Sequence, residues 1–169
     1  LLHNSHSFDE ETKQQIYGDI YDDAMWLTNL VESLLYSTRI EEGRMVLKTS
    51  PELVSEIIEE AMQHIRPKAK THSVTVVCED DFLLVEADAK LIVQVIINLV
   101  DNALKYTPDG ASISINAERK ESVAEINITD NGNGISDAEK EKIFDKFYCG
   151  EHKIADNRRS LGLGLYLCK

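Results

Sequence analysis

Two short stretches constrain this chain more than anything else in it. In Asn98-Leu99-Val100-Asp101-Asn102-Ala103-Leu104-Lys105-Tyr106-Thr107 two carboxamides stand four residues apart, so on a helix both project from one face. In Asp130-Asn131-Gly132-Asn133-Gly134-Ile135 a lone carboxylate follows the alternating run Ala124-Glu125-Ile126-Asn127-Ile128 and precedes a glycine-punctuated turn. A carboxylate at the end of an apolar strand is costly without a donor, and glycines after it permit positive φ and close approach to the backbone. Each stretch alone has a plain explanation: two asparagines bonding a neighbouring loop, or an ordinary Asp-Asn-Gly turn. Their occurrence in this order is the informative part.

Composition narrows the setting. A formal net charge of −12 over 169 residues argues against nucleic acid as a partner, because binding a phosphate backbone needs clustered cations. A hydrophobic content of 43% suffices for a core, and the length suits one medium domain or a compact domain with a smaller attachment. The apolar run over residues 91–100 is interrupted by Gln94 and Asn98 and is too short to span a bilayer, and no charged-then-apolar leader opens the chain. A soluble piece is expected. Cys78, Cys149 and Cys168 are scattered, without a CxxC, which suits a reduced cytosolic setting and argues against structural zinc.

The pattern divides the chain at about residue 42. Ser7-Phe8-Asp9-Glu10 has capping-box form and opens a long helix. On it Ile20, Ala24, Leu27, Val31, Leu34 and Thr38 step alternately by four and three, an a/d seam that needs a partner helix, and Gly43 is expected to cap its end. From residue 43 the pattern is mixed α and β: a short strand over 45–47, a helix starting at Ser50-Pro51-Glu52 and ending near Pro67, a strand over 74–78, and the helix of the paired asparagines opening at Asp88-Ala89-Lys90. Strands over 112–116 and 124–128 then deliver the chain to Asp130.

With Phe144-Asp145-Lys146-Phe147-Tyr148 and Leu161-Gly162-Leu163-Gly164-Leu165 added, four motifs stand in an order that resembles the N box, first glycine box, F box and second glycine box of sensor histidine kinases. The resemblance implies an α+β two-layer sandwich of the Bergerat (GHKL) type over 43–169, preceded over 1–42 by one helix of a dimerisation hairpin. It implies ATP and Mg2+ as cofactors. Asn102 would be the Mg2+ ligand with Asn98 beside it, Lys105 would help neutralise phosphate, and Tyr106 and Ile135 would line the cleft. Asp130 would take the exocyclic adenine amine, with Gly132 and Gly134 bringing the backbone close. Phe144 and Phe147 would anchor a lid over 148–161, and Arg158, Arg159, Gly162 and Gly164 would reach the phosphates. Family members usually carry a third glycine where Ser160 stands, and their sheet continues beyond the second glycine box.

The same architecture occurs in gyrase-type, mismatch-repair and heat-shock chaperone ATPases, where the residue four before the magnesium ligand is generally a glutamate that activates water. Asn98 cannot accept a proton in that way. Transfer to a protein acceptor is therefore expected over hydrolysis; a GHKL-type ATPase, or a nucleotide-binding dimerisation module without transfer, is the alternative. Residues 8–12, 20–27 and 150–156 resemble the osmosensing potassium-uptake (Kdp-type) branch. The implied partners are a second copy through the amino-terminal helix and a response-regulator receiver domain. The parent would be a membrane-embedded sensor with this part in the cytoplasm. None of the five histidines has the H-[DE]-x-[RK]-T-P context of a phosphate acceptor, so the chain is expected to bind ATP without phosphorylating itself.

Overall fold

The computed structural model describes residues 9–150 and 162–169, and the chain divides into two compact units between Arg44 and Met45. The first is a single helix, α1 (Glu10–Glu41). Its N-cap is Asp9, whose Oδ1 accepts from the Thr12 amide at 2.7 Å, whereas Ser7 of the expected capping box lies outside the described residues. The Thr12 hydroxyl first, and its amide second, hold the Asp9 carboxyl below its ordinary range. At the other end Gly43 takes φ +62, its amide bonds the Ile40 carbonyl, and the Arg44 amide bonds Arg39. Six-to-one and five-to-two bonds closed by a left-handed glycine make a Schellman cap, so the helix stops where glycine permits the turn. Ile20, Leu27, Val31 and Leu34 of the heptad face are all exposed.

The second unit begins with a departure from the sequence reading. Residues 45–49 form no strand, and Ser50–Leu53, expected to open a helix, is strand β1. It pairs antiparallel with β3 (Leu84–Ala87), a four-residue strand the pattern did not reveal. Helix α2 (Val54–Ile65) follows directly, its first amide bonded to the Leu83 carbonyl. It ends at Ile65, two residues before Pro67. Helix α3 (Ala89–Tyr106) starts after Asp88, but the Asp88 carboxylate caps no helical amide; its Oδ2 accepts from the Lys48 amide at 3.0 Å and ties down the loop before β1.

The main sheet has the order β2-β4-β5, with β2 (Ser73–Cys78) parallel to β4 (Ser112–Lys120) and β4 antiparallel to β5 (Val123–Asp130). Both hairpin strands run longer than their apolar alternation indicated, because pairs outside that alternation, such as Glu118 with Glu125 and Lys120 with Val123, continue the ladder. Ile113, Ile115 and Ala117 alternate on the inner face of the central strand and are fully buried. Ile57, Ile58, Ala61 and Ile65 of α2 and Val93, Ile96 and Val100 of α3 close over them. Each large aliphatic side chain fully buried here is worth about 1.5–3 kcal/mol. The result is two layers, helices on a mixed sheet.

After β5 come two short helices among the described residues, α4 (Asp137–Lys140), opened by a capping box between Ser136 and Glu139, and α5 (Gly164–Leu167). No helix among the described residues is long and apolar enough to cross a membrane.

Candidate functional site

The carboxy-terminal end of α3 and the carboxy-terminal end of β5 meet. Thr107 is the C-cap of α3, extended at φ −110 and ψ 153 as a residue before proline prefers. Its side chain lies against Gly132: a Cβ built there would stand 2.7 Å from Thr107 Cγ2 and 2.8 Å from Asp130 Oδ1. Gly132 is thus required for space. Gly134, at φ +72, is the one of the pair that takes left-handed backbone. Asn131 closes the end of the hairpin, its Oδ1 accepting from the Ser112 amide at 2.9 Å and its own amide reaching the Ser112 carbonyl.

Asp130 is exposed, not enclosed by apolar groups as its position after an apolar run suggested. Its Oδ1 accepts from the Gly132 amide at 2.9 Å, an Asx turn, and Oδ2 takes no hydrogen bond from the described residues. The carboxylate is thereby oriented with one oxygen available.

The two asparagines differ. Asn98 is committed internally, with Oδ1 accepting from Gln94 Nε2 at 3.2 Å and Nδ2 donating to the Gly164 carbonyl at 3.4 Å. Asn102 is half-buried, and its carboxamide has no hydrogen-bond partner among the described residues. Lys105 rests its ammonium 5.5 Å from the centre of the Tyr106 ring and pairs with no carboxylate among them.

The second glycine segment is built against this helix. Gly162, at φ +64, sits where a Cβ would strike the backbone of Phe147 and Tyr148, and its carbonyl accepts from the Phe147 amide at 3.0 Å. Phe147 itself has φ +66. Anchoring here is done by main chain, since the rings of Phe144 and Phe147 are exposed instead of packed, and Ile135 is exposed as well. The Cys168 thiol donates to the Gly164 carbonyl at 3.1 Å, and burial pushes it above its ordinary range against an opposing bond from Asn98. Of the lid expected over 148–161, residues 151–161, with Arg158 and Arg159, lie outside the described residues.

The donor set fits nucleotide with magnesium. No cluster of three or more His, Cys, Asp or Glu suited to a metal exists among the described residues. What α3 offers is one carboxamide oxygen, that of Asn102, without a partner among the described residues, a ligand suited to an ion that arrives on phosphate and keeps much of its water. Thr107 and its neighbour His72, whose Nε2 lies 3.0 Å from Thr107 Oγ1, had no assigned role in the sequence; the only signal was a threonine directly after Tyr106.

Comparison with known proteins bears on the family and the fold. Residues 87–169 match the family described as "Histidine kinase-, DNA gyrase B-, and HSP90-like ATPase". The sensor protein KdpD of Clostridium acetobutylicum is 41% identical over all 169 residues, which cover 19% of that protein. KdpD of Escherichia coli is 32% identical over 142 residues, 84% of this chain and 16% of that protein. The chain thus spans about a fifth of these relatives. A crystal structure of histidine kinase ThkA in complex with response regulator protein TrrA superposes with a TM-score of 0.64 at 27% identity, over 86% of this chain and 43% of that one. The chain belongs to the sensor histidine kinases, and its α+β unit is their GHKL-type ATP-binding domain.

Proposed function

We propose that this chain carries the kinase reaction of a two-component sensor: transfer of the ATP γ-phosphate to a histidine on a dimerisation hairpin, and from there to a response-regulator aspartate. The observation that carries the proposal is the half-buried Asn102 carboxamide, which has no partner among the described residues, on the helix whose end abuts the Asp130 turn. Asn102 would hold Mg2+ through its amide oxygen. Asp130 would accept the adenine amine on its available oxygen, Lys105 would lie toward phosphate above the Tyr106 ring, and Gly162, Gly164, Arg158 and Arg159 would complete the phosphate end. Bound magnesium supplies charge neutralisation at the transferred phosphoryl group.

Asn98 offers no carboxylate to activate water, and its carboxamide is engaged with Gln94 and Gly164. That favours a protein acceptor over hydrolysis. The likeness to two KdpD proteins supports a role in potassium or osmotic signalling, with the parent anchored in a membrane, this part on its cytoplasmic side, and α1 joining two copies.

Calorimetry with ATP and ADP, each with and without Mg2+, tests the site. Asn102→Ala should remove most of the magnesium-dependent gain, and Asp130→Asn should weaken ADP without metal. Unchanged affinities in both variants would sink the assignment. With labelled ATP the chain should show negligible turnover and no acid-labile phosphohistidine by itself, and should phosphorylate an added hairpin bearing its histidine.

A further inference from the structure

Gln94, Asn98 and Gly164 form a short chain of bonds from α3 to α5, and chemistry allows that chain to run in one direction only. The Gly164 carbonyl accepts and cannot donate, so the Asn98 atom that faces it at 3.4 Å must be Nδ2. The same carbonyl also takes the Cys168 thiol at 3.1 Å, which uses its second lone pair. With its nitrogen committed to Gly164, Asn98 turns Oδ1 the other way, and that oxygen needs a donor. Gln94 stands one helical turn earlier on the same face and supplies it from Nε2 at 3.2 Å. The two ends of a carboxamide are nearly the same in shape, so the Asn98 side chain has no orientation of its own. Gln94 chooses it.

The far end of this chain of bonds is the second glycine segment. Residues 162–164 are held at three successive points: the Gly162 carbonyl accepts from the Phe147 amide, the Leu163 side chain is 3% exposed, and the Gly164 carbonyl accepts from Asn98. The first two anchors are main chain and apolar packing. The third depends on a group that can rotate by half a turn and place an acceptor against an acceptor. Gln94 and Asn98 are both half-buried, so water does not freely replace a donor lost between them.

We propose that Gln94 is a positioning residue for the phosphate end of the site: by donating to Asn98 Oδ1 it fixes the turn of that carboxamide, and so holds Gly164 where the second glycine segment meets the nucleotide phosphates. The phosphate part rests on the nucleotide reading given above. The orientation of Asn98 does not.

Two variants of the whole chain test both parts. A carboxylate only accepts, so Gln94→Glu should draw the Asn98 nitrogen to itself and away from Gly164; Gln94→Met removes the donor at similar size and adds no charge, and stands if Gln94→Glu fails to fold. In each, the carbonyl 13C signal of Gly164 should move in the direction seen in Asn98→Ala, and hydrogen exchange over residues 162–168 should speed up. Added to Asn98→Ala, neither substitution should change these readouts further, since the group it acts through is gone. With Mg2+ present, adenosine should bind both variants as it binds the parent chain, whereas the gain in affinity from adenosine to ATP should fall about fivefold, the size of one hydrogen bond. A Gly164 signal that stays in place in Gln94→Met would overturn the orientation link, as would effects of Gln94→Glu that persist at full size beside Asn98→Ala, which would trace them to charge alone. Adenosine and ATP weakened in equal measure, or neither weakened, would overturn the phosphate part. An intact link in a chain that binds neither adenosine nor ATP would overturn the nucleotide reading, and the phosphate part with it.

Discussion

The carbonyl of Gly164 accepts from Asn98 Nδ2 at 3.4 Å, and a Cβ on residue 164 would stand 3.8 Å from Asn98 Cγ. The first asparagine of α3 is thus the peg on which α5 hangs, and the Cys168 thiol shares the same acceptor.

Asn98→Ala should loosen α5 without disturbing the core. The loss of one such bond is expected to cost about 0.5–1.5 kcal/mol. Hydrogen exchange over residues 162–168 should accelerate while α2 and β4 stay protected. Asn98→Asp should do worse, because it sets a carboxylate oxygen against the Gly164 carbonyl.

Gly132→Ala should be destabilising by about 1–3 kcal/mol, the usual cost of overpacking. The new methyl would meet Thr107 Cγ2 at 2.7 Å and Asp130 Oδ1 at 2.8 Å. Adding Thr107→Ser removes the first of these atoms and keeps the hydroxyl, so the double variant should recover part of the loss. Urea unfolding of the two single variants and the double variant gives the coupling.

Leu27→Glu with Leu34→Glu should abolish self-association and leave the 45–169 unit intact. Leu27 is 51% and Leu34 39% exposed in the single chain, so charge there costs little until a partner buries it. Sedimentation at rising concentration should show a dimer for the parent chain and a monomer for the variant; a dimer in both would place the contact elsewhere.

The cysteines should differ in reactivity. None is in a disulfide, Cys149 is exposed, and Cys168 is half-buried with its thiol raised first by burial. A thiol reagent at pH 8 should label Cys149 well before Cys168. A raised thiol favours the fold while it is neutral, so the contribution of Cys168 is full below its unfolded value and is lost as pH rises through the folded one. Cys168→Ser should flatten that alkaline decline.

The elements with strong periodicity were legible. The a/d stepping on α1, the apolar faces of α2 and α3, and the alternation in β4 and β5 follow from side-chain direction along helix and strand, which local sequence sets. The order of the motifs, with asparagines on a helix and an aspartate at a strand end, was enough to reach the family. Gly43 ended α1 as expected because a left-handed turn there depends on one residue.

What pairing and packing decide was not legible. Ser50-Pro51-Glu52 has the composition of a helix start, yet the segment is a strand because Leu84–Ala87 lies beside it, and no local signal announces a four-residue partner. Asp88 opens a helix but gives its carboxylate to Lys48, and Gly132 is needed for space where positive φ was expected. Asn98 and Asn102 are equivalent by spacing and distinct in three dimensions, because Gly164 arrives at one while the other has no partner among the described residues. Sequence alone determined which residues share a face, since backbone geometry repeats along an element; only the tertiary structure decided which of them are already occupied, because hydrogen-bond partners come from distant parts of the chain.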